Sequence, residues 1–461
     1  MKEYDVIAIG TGSVMSIIGQ ILTENQDLNV AVIENNKPGG ICLTRGCIPS
    51  KMLLYPAEIV SHIRDAKKFG VDVDIKNINF EKIIKRMKDH IQRESQMIGD
   101  NLKKSNEIDF YHSNGEFIDD YTLQVNNKKI KGNKILICSG SRPFIPPIEG
   151  LDDVRYLTSE TLLDIGKLPE SIVVIGGGYI AAEYGYFLSM MGAKVTIIGR
   201  NTQFVPEEEP EISDVLREKL SSIMEIYTGY EVRKCKNKNG KKKVIGVNSK
   251  GEKISVESEE ILMATGRRSN SDILKPEKSG IVTDDKGWIK VNRYLRTSKK
   301  NIWAMGDAIG KHMFKHVANY EAELVYFNAF KGEKRSVDYH AVPHAIFTYP
   351  EVASVGMNEK EAKRNHELLV GYQSYSDTTK GQAMMAEDYF VKVLVDKNDY
   401  KILGAHIVGP QASILIQEIV NLMYTSDQNI TPIFRGMHIH PSLSEVVERA
   451  FFNLHPHAHQ H

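Results

Sequence analysis

Cys42 and Cys47 stand five positions apart in a chain that has only four cysteines. A disulfide between them would close so small a loop that the loop-entropy model credits it with only about 2 kcal/mol of stability. Stabilisation by a crosslink is therefore a weak explanation for the two cysteines. Their spacing instead predicts a redox-active dithiol whose S–S bond is broken and remade. Residues five apart lie about 140° apart around an ideal helix. The bond thus requires distorted helical backbone, and Gly46 is expected to supply the slack.

The composition limits the class of protein. At 461 residues the chain is too long for one ordinary domain, and roughly two to four are expected. A hydrophobic fraction of 41% and a charged fraction of 26% are typical of a soluble globular protein. The formal net charge is zero and no apolar run approaches roughly 18 residues, so neither nucleic acid nor a membrane is indicated. Sparse cysteine usage and an N-terminal apolar run that stops at Gly10 predict a cytoplasmic protein without a signal peptide.

The first segment is typical of a dinucleotide-binding β-α-β unit. An apolar strand pattern at residues 4–9 precedes Gly10 and Gly12, a helical pattern runs from Ser13 to about residue 24, and a second strand pattern ends at Glu34. The glycines let the backbone approach a pyrophosphate, which sits at the helix N-terminus. Glu34 stands where a carboxylate accepts hydrogen bonds from ribose hydroxyls. We therefore expect a dinucleotide at this loop.

A second unit of the same kind starts at residues 172–175. Gly176 and Gly178 follow this strand pattern, then a helical pattern to about residue 191 and a strand pattern at 194–198. The usual acid after the second strand is replaced by Gly199 and Arg200. Arg200 is placed to meet a 2′-phosphate, which favours NADP(H) over NAD(H). The alternative is that Arg200 is simply solvated, and the acidic run at residues 207–209 argues against a phosphate site.

Two dinucleotide units beside a dithiol predict electron flow from nicotinamide to flavin to disulfide, or the reverse. Five further motifs lie at residues 138–143, 264–267, 305–307, 347–351 and 438–445. Together and in this order, these features resemble the class I pyridine nucleotide–disulfide oxidoreductases, which include dihydrolipoamide dehydrogenase, glutathione reductase, mercuric reductase and mycothione reductase. The resemblance implies an α/β fold with two Rossmann-like dinucleotide-binding domains, for FAD and NAD(P), plus an α+β C-terminal dimerisation domain.

The motif order implies a division of the chain. We expect an FAD-binding domain at residues 1–148, an NAD(P)-binding domain at 149–267, a return segment of the FAD-binding domain at 268–335, and an interface domain at 336–461. Strand-like alternation at 391–395 and a helical pattern at 413–423 predict an antiparallel sheet with helices in the interface domain.

The resemblance also implies roles for the residues that exchange electrons and protons. Cys47 would lie against the flavin and make a charge-transfer contact with it as a thiolate, while Cys42 would face the substrate. His440 would shuttle the proton and Glu445 would orient its ring. His438 is the rival for the shuttle. In this family the His–Glu pair comes from the other subunit, so we expect an obligate homodimer with a shared active site.

The remaining site residues surround the two cofactors. Lys51 would stabilise negative charge beside the flavin, Glu183 would be its ion-pair partner, and Tyr179 would cover the flavin until nicotinamide displaces it. The residues expected to bind FAD are Gly10, Gly12, Ser13, Glu34, Lys51, Gly140, Gly306 and Asp307. Those expected to bind NAD(P) are Gly176, Gly178, Tyr179, Ile180, Arg200 and Gly266. No metal site is expected.

Three functions remain open from the sequence. A dihydrolipoamide dehydrogenase acting on a lipoyl-protein ranks first, since residues 438–441 match that branch. An NADPH-dependent reductase of a low-molecular-weight thiol disulfide is the alternative, since residues 316–319 and 411–413 look like mycothione reductase. A flavoprotein kept as a binding or assembly factor is the third, and the intact dithiol argues against it.

Two further segments are interpreted as having no role in the reaction. The basic run at 234–243 contains the turn signal Asn239-Gly240 and predicts a solvated hairpin tip, which leaves Cys235 an incidental thiol. The alternating histidines at 455–461 are interpreted as a disordered tail or an added tag, with weak metal binding as the alternative.

Overall fold

A computed structural model describes residues 1–456 of the chain. The strands are β1 (Lys2–Ile9), β2 (Val30–Glu34), β3 (Ile108–His112), β4 (Gly115–Asp119), β5 (Thr122–Val125), β6 (Lys128–Ile137), β7 (Ser141–Pro143), β8 (Leu157–Thr158), β9 (Ser171–Ile175), β10 (Lys194–Gly199), β11 (Glu225–Thr228), β12 (Tyr230–Lys238), β13 (Lys241–Asn248), β14 (Lys253–Ser258), β15 (Glu260–Met263), β16 (Arg267–Ser269), β17 (Ile302–Ala304), β18 (His344–Ile346), β19 (Glu351–Gly356), β20 (Leu368–Ser374), β21 (Phe390–Asp396), β22 (Ile402–Gly409) and β23 (His455–Pro456).

The α-helices are α1 (Val14–Glu24), α2 (Gly40–Arg45), α3 (Cys47–Asp65), α4 (Phe80–Lys104), α5 (Tyr179–Met191), α6 (Pro210–Ser221), α7 (Ser271–Leu274), α8 (Lys315–Phe330), α9 (Glu359–Ala362), α10 (Thr379–Ala383), α11 (Ala412–Met423), α12 (Thr431–Arg435) and α13 (Ser444–Phe452). Among the described residues, no helix is both long and apolar enough to span a membrane. The histidines at 457–461 lie outside the described residues, so the interpretation of the tail stays a prediction.

The first sheet has the strand order β3-β2-β1-β6-β5-β4, and β17 also pairs with β6. Strands β1, β2, β3, β6 and β17 run parallel, and the register of β1 on β2 joins Val6 to Val30 and Ile9 to Ile33. Helices α1 and α8 pack their buried apolar residues with those of this sheet. All seven strands lie in residues 2–137 and 302–304, so the chain leaves this sheet and returns to it.

The second sheet is fully parallel, with the order β11-β10-β9-β15-β8. Its β9-α5-β10 unit repeats the β1-α1-β2 arrangement of the first sheet. A separate antiparallel sheet, β12-β13-β14, joins β12 to β13 through Asn239 and Gly240, whose φ angles are 50° and 78°. Both residues have positive φ, as a tight hairpin turn requires, so the predicted hairpin is confirmed.

The third sheet has the order β18-β19-β22-β21-β20-β23, and every pairing in it is antiparallel. Every residue of β21 and β22 is buried, because helices α11 and α13 pack on this sheet and residues 208–211 meet it from the second unit. The expected antiparallel sheet with helices in the C-terminal region is confirmed. The precise domain limits remain a prediction.

Candidate active site

The two cysteines lie on either side of a break between two helices. Helix α2 ends at Arg45, α3 begins at Cys47, and Gly46 between them has φ −129° and ψ −115°, far from helical values. A Cβ atom on Gly46 would lie 3.0 Å from the carbonyl oxygen of Ile41. The break removes the 140° separation of a continuous helix and lets the sulfur of Cys42 meet that of Cys47. The expectation that Gly46 supplies this slack is confirmed.

The thiol pair is electrically asymmetric. Cys42 and Cys47 are free thiols in hydrogen-bonding contact. The hydrogen bond from Cys42 lowers the pKa of Cys47 to about 7, with the Lys51 ammonium acting in the same direction against burial. The same hydrogen bond, together with burial, raises the pKa of Cys42 well above its ordinary value. Of the two thiols, Cys47 is therefore the one that ionises more readily.

Lys51 and Glu183 form an ion pair across two segments of the fold. The Nζ atom of Lys51 lies 2.8 Å from Oε2 and 2.9 Å from Oε1 of Glu183, so the predicted pair is confirmed. The backbone N–H of Phe347 donates to the same carboxylate at 3.0 Å, and the Lys51 ammonium lies 4.5 Å from the centre of the Phe347 ring. This arrangement fixes the cation one helical turn after Cys47.

A single cavity collects most of the residues expected to bind FAD. It follows the carboxyl ends of β1, β2 and β6, which is where parallel α/β sheets bind dinucleotides. Its lining includes Gly10, Gly12, Ser13, Glu34, Gly140, Gly306, Asp307, Cys42 and Cys47. Lys51, the eighth residue expected to bind FAD, is not among the described residues that line it.

The glycine loop of this cavity leaves no room for side chains. A Cβ atom on Gly10, whose φ is +101°, would lie 2.3 Å from the carbonyl oxygen of Cys138. A Cβ atom on Gly40 would lie 2.7 Å from the Cα atom of Gly12. Bare backbone at the start of α1 is what a pyrophosphate requires. The buried carboxylate of Glu34 closes this end of the cavity and accepts hydrogen bonds from the backbone and side chain of Thr11, at 3.0 and 2.6 Å. These residues fit FAD.

Asp307 is held in the cavity wall by the Ser141 side chain, which is itself bonded to Arg267. The hydroxyl of Ser141 donates to Asp307 at 2.5 Å, and the guanidinium of Arg267 donates to Ser141 at 2.7 Å. The backbone N–H of Gly306 donates at 2.6 Å to buried Glu321, whose pKa burial raises to about 7. This network fixes the position of the Gly306–Asp307 turn.

Lys315 is a cavity residue that the sequence did not single out. Its Nζ atom donates to the Ser13 hydroxyl at 2.9 Å, although 302 positions separate the two residues, and its charge acts on the Cys42 thiol. Ser13 in turn donates to Asn319 at 2.9 Å. Lys315 is the first residue of α8, where a cation opposes the helix dipole. A lysine at the N-terminus of a helix is electrostatically unfavourable, and this local signal could have identified Lys315 in the sequence.

The residues expected to bind NAD(P) gather at the end of β9. Gly176 has φ +132°, and a Cβ atom there would lie 2.1 Å from the carbonyl oxygen of Ala264. Gly178 caps the N-terminus of α5, which begins with Tyr179 and Ile180. Tyr179 is 37% exposed. The loop therefore has the form expected of a second dinucleotide site.

Two further residues expected at that site are less constrained. Arg200 follows β10, is exposed, and has no ion pair among the described residues. Gly266 has φ +100°, and nothing lies within 4 Å of where its Cβ atom would be. Arg200 is therefore available to an incoming phosphate, and Gly266 is required by its backbone conformation alone.

His440 and Glu445 form the predicted pair, with Nδ1 2.9 Å from Oε1. The hydrogen bond lowers the pKa of the Glu445 carboxyl, and the His440 side chain is 65% exposed. His438, the rival, is only 8% exposed; its Nε2 lies 2.9 Å from Glu418, and its Nδ1 lies 3.3 Å from Glu448 outside hydrogen-bonding geometry. Within the described residues, His440 does not line the cavity that holds the cysteines of its own chain. Its exposed ring faces outward, which suits contact with another molecule.

Known proteins resemble the whole chain. The family described as pyridine nucleotide-disulphide oxidoreductase matches residues 4–322, and the dimerisation domain of that family matches residues 342–451. Mycothione reductase of Mycobacterium tuberculosis is 33% identical over 98% of this chain and 100% of that protein. Dihydrolipoyl dehydrogenase of Bacillus subtilis is 32% identical over 97% of each. The structure of the HOCl-induced flavoprotein disulfide reductase RclA from Escherichia coli, solved as a Cu(II) complex, has a TM-score of 0.86 at 26% identity and covers 98% of this chain and all of that one.

These similarities confirm the expected α/β fold with FAD- and NAD(P)-binding domains and a C-terminal dimerisation domain. They also establish FAD and NAD(P)(H) as the cofactors and disulfide oxidoreduction as the class of reaction. The chain belongs to the pyridine nucleotide–disulfide oxidoreductase family.

Proposed function

We propose that the protein moves electrons between NAD(P)(H) and an external dithiol–disulfide couple through Cys42 and Cys47. The observation that carries the proposal is the thiol pair at the break between α2 and α3: Cys42 and Cys47 are in contact there, and both line the cavity that fits FAD. FAD, when bound, supplies the two-electron step between nicotinamide and this pair. In this proposal, Lys51 and Glu183 place fixed charges beside the site of that electron transfer, and the Gly306–Asp307 turn positions the cofactor.

In the direction of disulfide reduction, Cys42 is the attacking thiol. It loses its proton to a base, and its sulfur attacks one sulfur of the substrate disulfide, which breaks the substrate S–S bond and forms a mixed disulfide; the first product sulfur leaves as a thiolate and takes that proton from the base. The Cys47 thiolate then attacks the Cys42 sulfur, closes the Cys42–Cys47 disulfide and releases the second product sulfur as a thiolate, which carries away the negative charge of Cys47. The substrate gains two electrons and the enzyme pair loses two. Oxidation of a dithiol is the reverse sequence.

The base in this proposal is His440 of the partner subunit, oriented by its Glu445. The raised pKa of Cys42 makes a base necessary, and the chain's own His440 does not line the cavity. A dimerisation domain in the matched family supports a homodimer whose two subunits share each site. His438 is too enclosed by Glu418 and Glu448 to take this role.

Dihydrolipoamide, carried on a lipoyl-protein, remains the first substrate to test, with NAD as the acceptor. A low-molecular-weight thiol disulfide reduced by NADPH is the second candidate. Exposed Arg200, which has no ion pair among the described residues, favours it, because a 2′-phosphate needs a cation at the end of β10. Both reactions use the same thiol pair. The cytoplasm, expected from the sparse cysteine usage, is the proposed location.

The deciding experiment compares kcat/KM for dihydrolipoamide with NAD and with NADP, alongside NADPH oxidation by mycothione. A large NADP preference without lipoamide activity eliminates dihydrolipoamide as the substrate. Arg200→Ala is expected to raise the KM for NADPH about tenfold or more and leave NADH unchanged, whereas the exposed control Arg217→Ala changes neither. Flavin that neither nucleotide reduces would instead leave only a binding or assembly role.

A further inference from the structure

The loop between β10 and α6, residues 200–209, is anchored more firmly than an ordinary surface connection. Phe204, Val205, Glu208 and Glu209 are buried in it, although loops usually run over the surface. The Glu208 side chain is only 2% exposed. A carboxylate is rarely so deeply buried unless it is paired. The loop is therefore fixed to the body of the protein by a charged group as well as by apolar ones.

Both oxygens of the Glu208 carboxylate are bound by the C-terminal dimerisation domain. Nε2 of His344, on β18, lies 2.7 Å from Oε1, and the Ser354 hydroxyl, on β19, donates to Oε2 at 2.6 Å. His344 and Ser354 stand directly opposite each other in the β18–β19 pair, so both reach the same carboxylate. Burial opposes ionisation of His344, but the hydrogen bond and charge of Glu208 outweigh it and raise the pKa of His344. The pair therefore favours imidazolium, and its hydrogen bond is charge-assisted.

One turn connects this anchor to Val205. The backbone N–H of Glu208 donates to the carbonyl oxygen of Val205 at 3.0 Å, which closes a four-residue turn. Val205 has φ +42°, a conformation that a β-branched residue adopts only where its surroundings impose it. In this conformation, its N–H donates to the carbonyl oxygen of Gly177 at 2.7 Å. Gly177 is the middle residue of the glycine loop Gly176–Gly178, so the anchor reaches the second dinucleotide site.

We propose that Glu208 positions the NAD(P)-binding glycine loop from the C-terminal dimerisation domain. Its carboxylate fixes the turn at Val205, and the Val205 N–H holds the backbone of Gly177 in the loop that receives the nucleotide pyrophosphate. Backbone strain that is maintained beside a ligand-binding loop is typical of a functional constraint. Glu208 and Val205 are positioning residues, because they act on the nucleotide through Gly177. The inference rests on the NAD(P) site and is independent of which disulfide is reduced.

The same contacts change the meaning of the acidic run at residues 207–209. In the sequence, these acids argued against a phosphate site. In the structure, Glu208 is paired with His344 at 2.7 Å, and Glu209 lies 3.3 Å from the buried ammonium of Lys392. Two of the three acids are thus compensated by cations of the C-terminal domain. They oppose a nearby 2′-phosphate less than an unpaired run would.

Nucleotide binding to the FAD-loaded enzyme tests the proposal. Glu208→Ala should raise the Kd of NADP⁺ and that of NAD⁺ by the same factor, about five- to tenfold. Both nucleotides share the pyrophosphate, and the free variant holds the loop in its binding conformation for only part of the time. Flavin fluorescence titration measures the tighter Kd, and competition measures the weaker one. Glu208→Gln keeps one acceptor oxygen and should lie between wild type and the Ala variant.

Two control variants separate this role from others. Arg200→Ala should weaken NADP⁺ alone, and Glu218→Ala, at an exposed position of α6, should weaken neither nucleotide. A Glu208→Ala holoenzyme with unchanged Kd values, or with a loss confined to NADP⁺, overturns the inference. Where the Ala variant fails to fold or to retain FAD, Ser354→Ala removes one donor only and should raise both Kd values by a smaller common factor. Unchanged values in that variant overturn the inference as well.

Amide hydrogen exchange provides a readout at the loop itself. The hydrogen bond to Gly177 should protect the Val205 N–H in the wild-type holoenzyme. Glu208→Ala should speed its exchange roughly tenfold, measured by mass spectrometry on peptides that cover residues 203–209. Peptides that contain Gly10 and Gly12 of the FAD-binding loop should exchange at the wild-type rate. An equally protected Val205 in Glu208→Ala overturns the proposed route to the glycine loop.

Discussion

The hydrogen bond between the two thiols should control the reactivity of Cys47. Cys42→Ala removes the donor that contributes most to lowering the pKa of Cys47, and leaves Lys51 and the burial of the site in place. Cys42→Ser keeps a hydroxyl donor at the same position and is the matched control. The Ala variant should therefore lose the thiolate at neutral pH, and the Ser variant should retain it.

The size of the expected effect follows from the pKa shift of Cys47. Burial is the second-largest influence on Cys47 and raises its pKa, so without the hydrogen bond the pKa returns to about its ordinary value of 9.0 or above. At pH 7 the thiolate fraction then falls from about one half to about one in a hundred, roughly fifty-fold. Two pKa units correspond to about 2.7 kcal/mol, which is within the range for a hydrogen bond to a charged group.

Alkylation of the reduced protein measures this directly. The rate of iodoacetamide modification at Cys47, followed by peptide mass spectrometry between pH 5 and 9, should rise with pH through about 7 in wild type and Cys42→Ser, because the thiolate forms above the pKa. In Cys42→Ala the rise should move to about pH 9. Cys138 and Cys235, whose pKa burial raises to about 11, are internal references. An unshifted Ala variant refutes the assignment of the hydrogen bond as the cause.

Three further perturbations test the remaining roles. Cys42→Ser should lower disulfide turnover by more than about 10³-fold, while NAD(P)H should still reduce the flavin in stopped-flow absorbance. A variant with full turnover would show that the assigned order of electron transfer is wrong. Glu183→Gln should cost about 1–2 kcal/mol in urea unfolding, less than for a fully buried pair because Lys51 is 37% exposed, and an unchanged midpoint would show that the pair adds nothing to stability. Glu445→Gln should lower kcat on the order of 100-fold by releasing His440, with the KM for NAD(P)H unchanged; retained kcat would exclude the pair as the proton shuttle.

Local patterns were sufficient to predict the chemistry of the chain. Each of these patterns is recognisable from a few neighbouring residues: the glycine loops, the strands before them and the cysteine spacing. The reason is that a close approach of the backbone to a phosphate, and the distortion of one helix, depend only on local sequence. The Lys51–Glu183 pair was also predicted, although 132 positions separate its residues, because each is fixed relative to its own motif. The resemblance of the ordered motifs then gave the family.

Only the tertiary structure brought Lys315 to Ser13 and Phe347 to Glu183. These contacts join residues 302 and 164 positions apart. Each depends on how whole domains pack, and a local sequence pattern contains no information about that packing. The structure also decided that His440 stands outside the cavity of its own chain while His438 is enclosed between carboxylates. The sequence and its family resemblance identified the candidates to carry electrons and protons, because each candidate stands in a motif a few residues long. Packing decided which charges surround them, because electrostatic influence depends on distance in space.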